Sequence, residues 1–181
     1  MATIFSKIIA GTMTWGIWGK NFDTHQMIDL IHCCFENGIT AFDHADIYGD
    51  YRCEALFGEA LKLNPSLKHK MQIVTKCGIQ LVSSTRPERR VKHYDTRAAH
   101  IRQSVENSLR LLGVDRLDTL LIHRPDPLMD HLALGACLDG LIQSGKIRAA
   151  GVSNFMGWDF DLLQSAMRHP LLTNQIEISL V

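Results

Sequence analysis

The chain has 181 residues, 46% of them hydrophobic, with 19 basic side chains balancing 19 acidic ones, which suits one globular domain over residues 1–181 with a sizeable core. That balance removes the electrostatic case for nucleic acid or an anionic membrane as partner. The N-terminus, MATIFSKIIAGTMTWG, lacks a basic region before its apolar part and does not read as a signal peptide, and no apolar run is long enough to span a bilayer.

Taken in chain order, apolar runs alternate with helix-period segments. Ile8–Gly11 reads as a strand. Thr24–Asn37 places Met27, Leu30, Ile31, Cys34 and Phe35 at helical spacing, with Gly38 as its stop. His32, Cys33 and Cys34 on that helix point in different directions and make no metal site. The five cysteines form no C-x-x-C pair and read as reduced thiols of a cytoplasmic protein. Thr40–Asp43 is the second strand, Glu54–Leu63 a helix and Gln72–Lys76 the third strand. Gly78–Asp95, which contains RPERRVK, reads as a solvated surface loop. Thr96–Leu112 is a helix with Ile101, Val105, Leu109 and Leu112 on one face, stopped by Gly113. Thr119–His123 is the fourth strand. Leu132–Ser144 is a helix with Leu134, Leu138, Leu141 and Ile142 inward. Ala149–Val152, the helix Phe160–Arg168 and the strand Leu172–Ser179 complete the pattern. Strands separated by single helices predict an α/β fold with parallel pairing and right-handed crossovers. An open doubly wound sheet and part of a (β/α)8 barrel both fit; a whole barrel takes about 250 residues.

The chemistry gathers where the strands end. Asp43 closes the second strand and Tyr48 follows it. Lys76 closes the third, His123 the fourth, and the fifth runs into Ser153 and Asn154. In parallel α/β proteins these ends share one face, where sites are built. Each residue alone has an ordinary use as a cap, a snorkelling cation or a wet aromatic. Together they make a proton donor. A free phenol ionises near pH 10, a neighbouring ammonium favours its phenolate, and a carboxylate keeps that ammonium charged in a partly buried site. Asp43 would hold Lys76, Lys76 would tune Tyr48, and His123 would orient an incoming oxygen. No G-x-S-x-G, G-x-G-x-x-G or P-loop is present, so a proton donor without a protein nucleophile points to a cofactor that brings hydride.

These segments resemble those of the aldo-keto reductases along essentially the whole chain. GITAFDHADIYG is similar to the signature G-x-x-x-x-D-x-A-x-x-Y-G, IVTKCG to the strand of the catalytic lysine, and LRLLGVDRLDTLLIHRPDP to the segment of the catalytic histidine. SGKIRAAGVSNF resembles G-K-[VI]-R…G-[VI]-S-N-[FY], and NQIEIS the N-Q-x-E strand. HRPDP most resembles a bacterial-type branch. The resemblance implies a (β/α)8 TIM barrel, incomplete here at about six strands, that reduces an aldehyde or ketone to an alcohol with hydride from NADPH, NADH remaining open. It implies a small-molecule carbonyl substrate, no metal, and Tyr48 as general acid with Asp43, Lys76 and His123 completing a tetrad. Asp43, Ser153, Asn154 and Gln175 would contact the nicotinamide end of the cofactor, as would the loop of Thr12 and Met13. Trp15 or Trp18 would wall the substrate pocket. The family's seventh and eighth strands, with the groups for the nicotinamide face and the 2′-phosphate, have no counterpart in this sequence. Six strands would leave Ile8–Gly11 and Leu172–Ser179 as edges, predicting self-association. Two other functions stay open: a non-catalytic interaction or regulatory protein on the same scaffold, and a barrel enzyme using Lys76 as a Schiff-base amine.

Overall fold

A computed structural model describes residues 5–179, so the first four residues of the N-terminal segment discussed above and the last two of the chain lie outside the described residues. The elements are β1 (Ile9–Gly11), α1 (Thr24–Glu36), β2 (Ala41–Asp43), the single turn α2 (Tyr48–Tyr51), α3 (Cys53–Leu63), a 3₁₀ turn (Pro65–Lys70) and β3 (Gln72–Cys77). There follow β4 (Ile79–Gln80), β5 (His93–Tyr94), α4 (Ala98–Leu112), β6 (Leu117–Ile122), α5 (His131–Gln143), β7 (Ile147–Ser153), α6 (Gly157–Ser165) and β8 (Asn174–Gln175). Six strands form one sheet in the order β1-β2-β3-β6-β7-β8, and every neighbouring pair is parallel. The sheet curls as part of a barrel.

Strand alternation separates two faces. Phe42, Ile73, Cys77, Leu120, Ile122, Ala150 and Val152 pack into the main hydrophobic core together with Met27, Ile31, Phe57, Ile101, Val105, Leu134 and Leu138 of the helices. Burying each large apolar side chain there contributes about 1.5–3 kcal/mol. Phe42 is the hub of an aromatic group, with ring centroids 6.2 Å from Trp15, 5.9 Å from Phe35 and 5.5 Å from Phe57. Alternate positions, Asp43 and Lys76 among them, face the other side. Local chemistry fixes the helix ends. Asp23 and Gln26 form a reciprocal capping box at the start of α1, and Gly113 ends α4 with φ 65.

The structure departs from the sequence reading in one loop and in several element bounds, the fourth strand running Leu117–Ile122 and the last helix Gly157–Ser165. Gly78–Asp95 is not simply a solvated loop. Ile79 pairs with Tyr94 and Gln80 with His93 in an antiparallel ribbon, whose β4 strand is buried, Ile79 packing on Ala45 and Ile47, while β5 is exposed. The fifth strand begins earlier, at Ile147, which pairs with Leu117. The last strand is shorter than expected: Leu172 N still donates to Ala150 O at 2.8 Å, but the ladder closes at Gln175. Of the five free cysteines, Cys33 is exposed and the others are buried. Among the described residues no helix is long and apolar enough to cross a membrane.

Candidate active site

Lys76 is the centre of the site. It stands on β3 at 2% exposure, and its Nζ donates to both carboxylate oxygens of Asp43 (2.7 and 2.6 Å), to the carbonyl of His44 (3.0 Å) and to Tyr48 Oη (3.1 Å). An ammonium has three N–H donors, and all three are engaged. Because Tyr48 Oη accepts from Lys76, the phenol's own proton is left to be given elsewhere. Tyr48 is delivered by a turn that leaves β2 through Asp46, whose N–H donates to the carbonyl of Lys76 itself at 3.0 Å. Gly49 (φ 57), Asp50 (φ 55) and Tyr51 (φ 66) then run through the left-handed region.

His123 follows β6, its N–H bonded to Cys77 O at 2.9 Å. Its ring meets the Tyr48 ring edge-on at 5.9 Å. Burial, with Lys76, Arg124 and Lys92 adding positive charge, pulls its pKa down to about 3. It is therefore a neutral imidazole at physiological pH, with a buried Nδ1 that has no partner among the described residues.

The tetrad opens into a cleft of about 560 Å³ that is also lined by Met13, Trp18, Ser153, Asn154 and Gln175. Ser153 Oγ donates to Gln175 O (3.1 Å), and Asn154, at φ 55, donates from Nδ2 to Ser153 Oγ (3.0 Å). The Gln175 side chain makes no hydrogen bond among the described residues. Trp18 lies with its ring 6.4 Å from that of Tyr48. Trp15 belongs to the core instead. Thr12 sits behind the cleft: its Oγ1 bonds Asp43 O and His44 Nδ1, both at 3.0 Å. Since the one hydroxyl proton goes to the carbonyl, His44 Nδ1 is the donor to Thr12. His44 is completely buried against Phe57, and burial followed by the charge of Lys76 lowers its pKa to about 3.

Sequence reasoning missed several groups here. Leu81, Lys92 and Arg124 also line the cleft, beside Glu177, which the sixth strand of the sequence reading carries; the position of Arg124 next to His123 was the available signal. Behind β3 lie two buried carboxyls with no such signal. Glu54 accepts from Thr75 Oγ1 (2.6 Å) and Ser108 Oγ (2.9 Å), and Asp46 from Ser104 Oγ (2.7 Å). Burial pushes both up to about 7 against those hydrogen bonds. For Glu54 the folded value lies above the ordinary 4.5, so its contribution to stability is complete below that pH and is lost as pH rises through about 7. The Glu54→Gln variant is expected to melt increasingly above wild type as pH goes from about 5 to about 8, the background from His44 and His123 cancelling in the difference, while Asp46, whose value the Glu54 charge helps to raise, is raised less in the variant and adds to the same trend. Parallel thermal melts across that range check it; a Tm difference that does not change with pH would remove Glu54 from the titration.

The model of the aldo/keto reductase family matches residues 7–181 of this sequence. The chain belongs to that family. This aldo/keto reductase chain is 51% identical over 179 residues to a 6-dehydroglucose reductase from Agrobacterium fabrum, covering 97% of the chain and 60% of the relative. It is 49% identical over 175 residues to the oxidoreductase YdhF of Escherichia coli, covering 97% and 57%. Among solved structures, a glycerol dehydrogenase from Gluconobacter oxydans matches with a TM-score of 0.81 at 34% identity, over 97% of this chain and 52% of that one. The chain thus spans about 60% of the length of the curated relatives it matches, and its six-stranded sheet is an incomplete TIM barrel.

Proposed function

We propose that this aldo/keto reductase chain carries the proton-transfer half, and part of the cofactor half, of an NADPH-dependent reductase of aldehydes or ketones, with Tyr48 as general acid. The observation that carries this reading is the Lys76 ammonium, clamped by Asp43 and donating to Tyr48 Oη. As the phenol proton moves to the substrate oxygen, negative charge develops on Oη, and an ammonium already aimed at that atom stabilises it without rearrangement. Asp43 keeps the ammonium charged in a nearly solvent-free position. Neutral His123, at the mouth of the same cleft, supplies a ring N–H to hold the carbonyl oxygen near the phenol. The same geometry opposes a Schiff-base role for Lys76, which needs a free neutral amine, whereas this one has every donor engaged.

The residues suit a nicotinamide ring. A carboxamide needs both donors and acceptors, and Ser153, Asn154 and Gln175 offer both at the β7–β8 side of the cleft. When bound there, the cofactor supplies the hydride; these three residues orient it, and Met13 bounds it from the β1 side. Leu81 and Lys92, on the β4–β5 ribbon, and Arg124, after β6, make the substrate side. The names of two relatives, a 6-dehydroglucose reductase and a glycerol dehydrogenase, support a hydroxylated substrate, which suits a wall with two cations and Glu177.

The reading is tested by NADPH oxidation with glyceraldehyde and by cofactor affinity. The double variant Ser153→Ala/Asn154→Ala is expected to raise the Kd for NADPH about tenfold through lost hydrogen bonds, with the melting transition intact. Nicotinamide fluorescence titration reads this directly, and unchanged affinity would take both residues out of the site.

A further inference from the structure

Tyr51 lies three positions beyond Tyr48 and has no place in the tetrad. Its backbone completes the left-handed run of Gly49, Asp50 and Tyr51, with φ values of 57, 55 and 66. Residues with a β-carbon avoid this region, so only Gly49 adopts it without strain. Such a run persists where surrounding contacts hold it in place. Backbone bonds from Tyr51 N to Ile47 O (3.3 Å) and from Arg52 N to Tyr48 O (3.2 Å) hold it from within, and the Tyr51 side chain holds it from outside. Its Oη accepts from the Leu81 N–H and from Arg89 Nη1, each at 2.8 Å. The guanidinium carbons of Arg86 and Arg89 stand 4.2 and 5.4 Å from the ring centroid.

All of these partners belong to the ribbon of residues 79–94 or its tip. Leu81 and Lys92 of the same ribbon line the cleft beside Tyr48, and Leu81 packs with Tyr48 and Tyr51 on a small apolar cluster of Ala45, Ile47 and Ile79. We propose that Tyr51 is a positioning residue: its hydroxyl fastens the ribbon wall of the cleft to the turn that carries the Tyr48 phenol. Wall and proton donor thereby keep a fixed spacing, and a substrate held by Leu81 and Lys92 meets the phenol in register. The kinetic half of this inference rests on the reductase reading above; the fastening half rests on geometry alone.

Tyr51→Phe is the discriminating variant, because it keeps the ring and both guanidinium contacts and removes only the acceptor. The ribbon tip offers trypsin Arg89, Arg90 and Lys92, whereas Arg86 is shielded by the proline that follows it. In Tyr51→Phe, cleavage there is expected to quicken about tenfold, and the Leu81 amide to exchange its hydrogen faster by a similar factor, since its acceptor is gone. With glyceraldehyde and NADPH, KM for the aldehyde rises about tenfold while kcat and the Kd for NADPH stay within about twofold. Arg89→Met, which leaves Tyr51 to Leu81 but also removes a cleavage site, is read by Leu81 exchange and KM alone; it gives an intermediate result and guards against misfolding of the first variant. Unchanged cleavage and exchange would overturn the fastening. Faster cleavage with an unchanged KM would overturn the role of the ribbon as a positioned wall. Absence of turnover in wild-type protein that binds NADPH would overturn the reductase reading and the kinetic half with it, while cleavage and exchange still decide the fastening.

Discussion

Replacing Tyr48 by phenylalanine is expected to lower kcat for carbonyl reduction by about 10²–10⁴ while leaving the Kd for NADPH within about twofold of wild type. The ring keeps its place: it packs edge-on against His123 at 5.9 Å and against Trp18 at 6.4 Å, and neither contact involves the hydroxyl. What disappears is the proton and the oxygen to which Lys76 donates at 3.1 Å. Lys76 retains Asp43 and the His44 carbonyl, so the buried charge stays paired and the fold is not at risk. Single-turnover reduction under saturating NADPH separates the chemical step from binding. A variant with near wild-type kcat would mean that another group donates the proton.

Lys76→Met is expected to remove turnover to the same depth and, unlike Tyr48→Phe, to destabilise the protein by about 3–5 kcal/mol, because it leaves the Asp43 carboxylate buried without its counter-ion. The methionine fills the volume, so the loss is electrostatic rather than a cavity. Asp43→Asn combined with Lys76→Met removes both charges and is expected to recover most of the stability and none of the activity. Denaturant unfolding beside turnover measurements tells the two effects apart. If the double variant were as unstable as the single one, the pairing of Asp43 with Lys76 would not be what Lys76 contributes to the fold.

Much of the site is legible in the sequence because each group ends an apolar run. Asp43, Lys76 and His123 stop strands, and in a parallel sheet a residue that stops a strand stands at the functional rim. Period-two alternation then decides which residues share a face, and Asp43 and Lys76 do. The groups that stayed hidden obey other rules. Glu54, on a helix, looks like a solvent-facing charge, and only tertiary packing places it beneath Thr75 and Ser108. Tyr51 looks like one more aromatic after a glycine, because its partners lie 30 and 38 positions away. The β4–β5 ribbon holds just two paired positions per strand, too few to show an alternating pattern amid charged residues. Thr12 was legible as part of the loop after the first strand. That its hydroxyl turns back to Asp43 and His44 depends on a histidine 32 positions on.

The strands pair in the order in which they occur along the chain, with the ribbon as the one interruption. This has a kinetic side. Lys76 reaches Tyr48 across 28 positions and Asp43 across 33, and Ser153 reaches the Gln175 carbonyl across 22. Closures of this size differ little in entropic cost, and parallel pairing across crossovers of this length is slow beside local contacts. The Asp43–Lys76–Tyr48 cluster and the Ser153–Gln175 cluster lie on separate crossovers, so each closes without the other. Their relative placement is settled by β6, which pairs with β3 on one side and β7 on the other. That strand is the seam of the molecule: the distance between the Lys76–Tyr48 cluster and the Ser153–Gln175 cluster is set along its hydrogen-bond ladders.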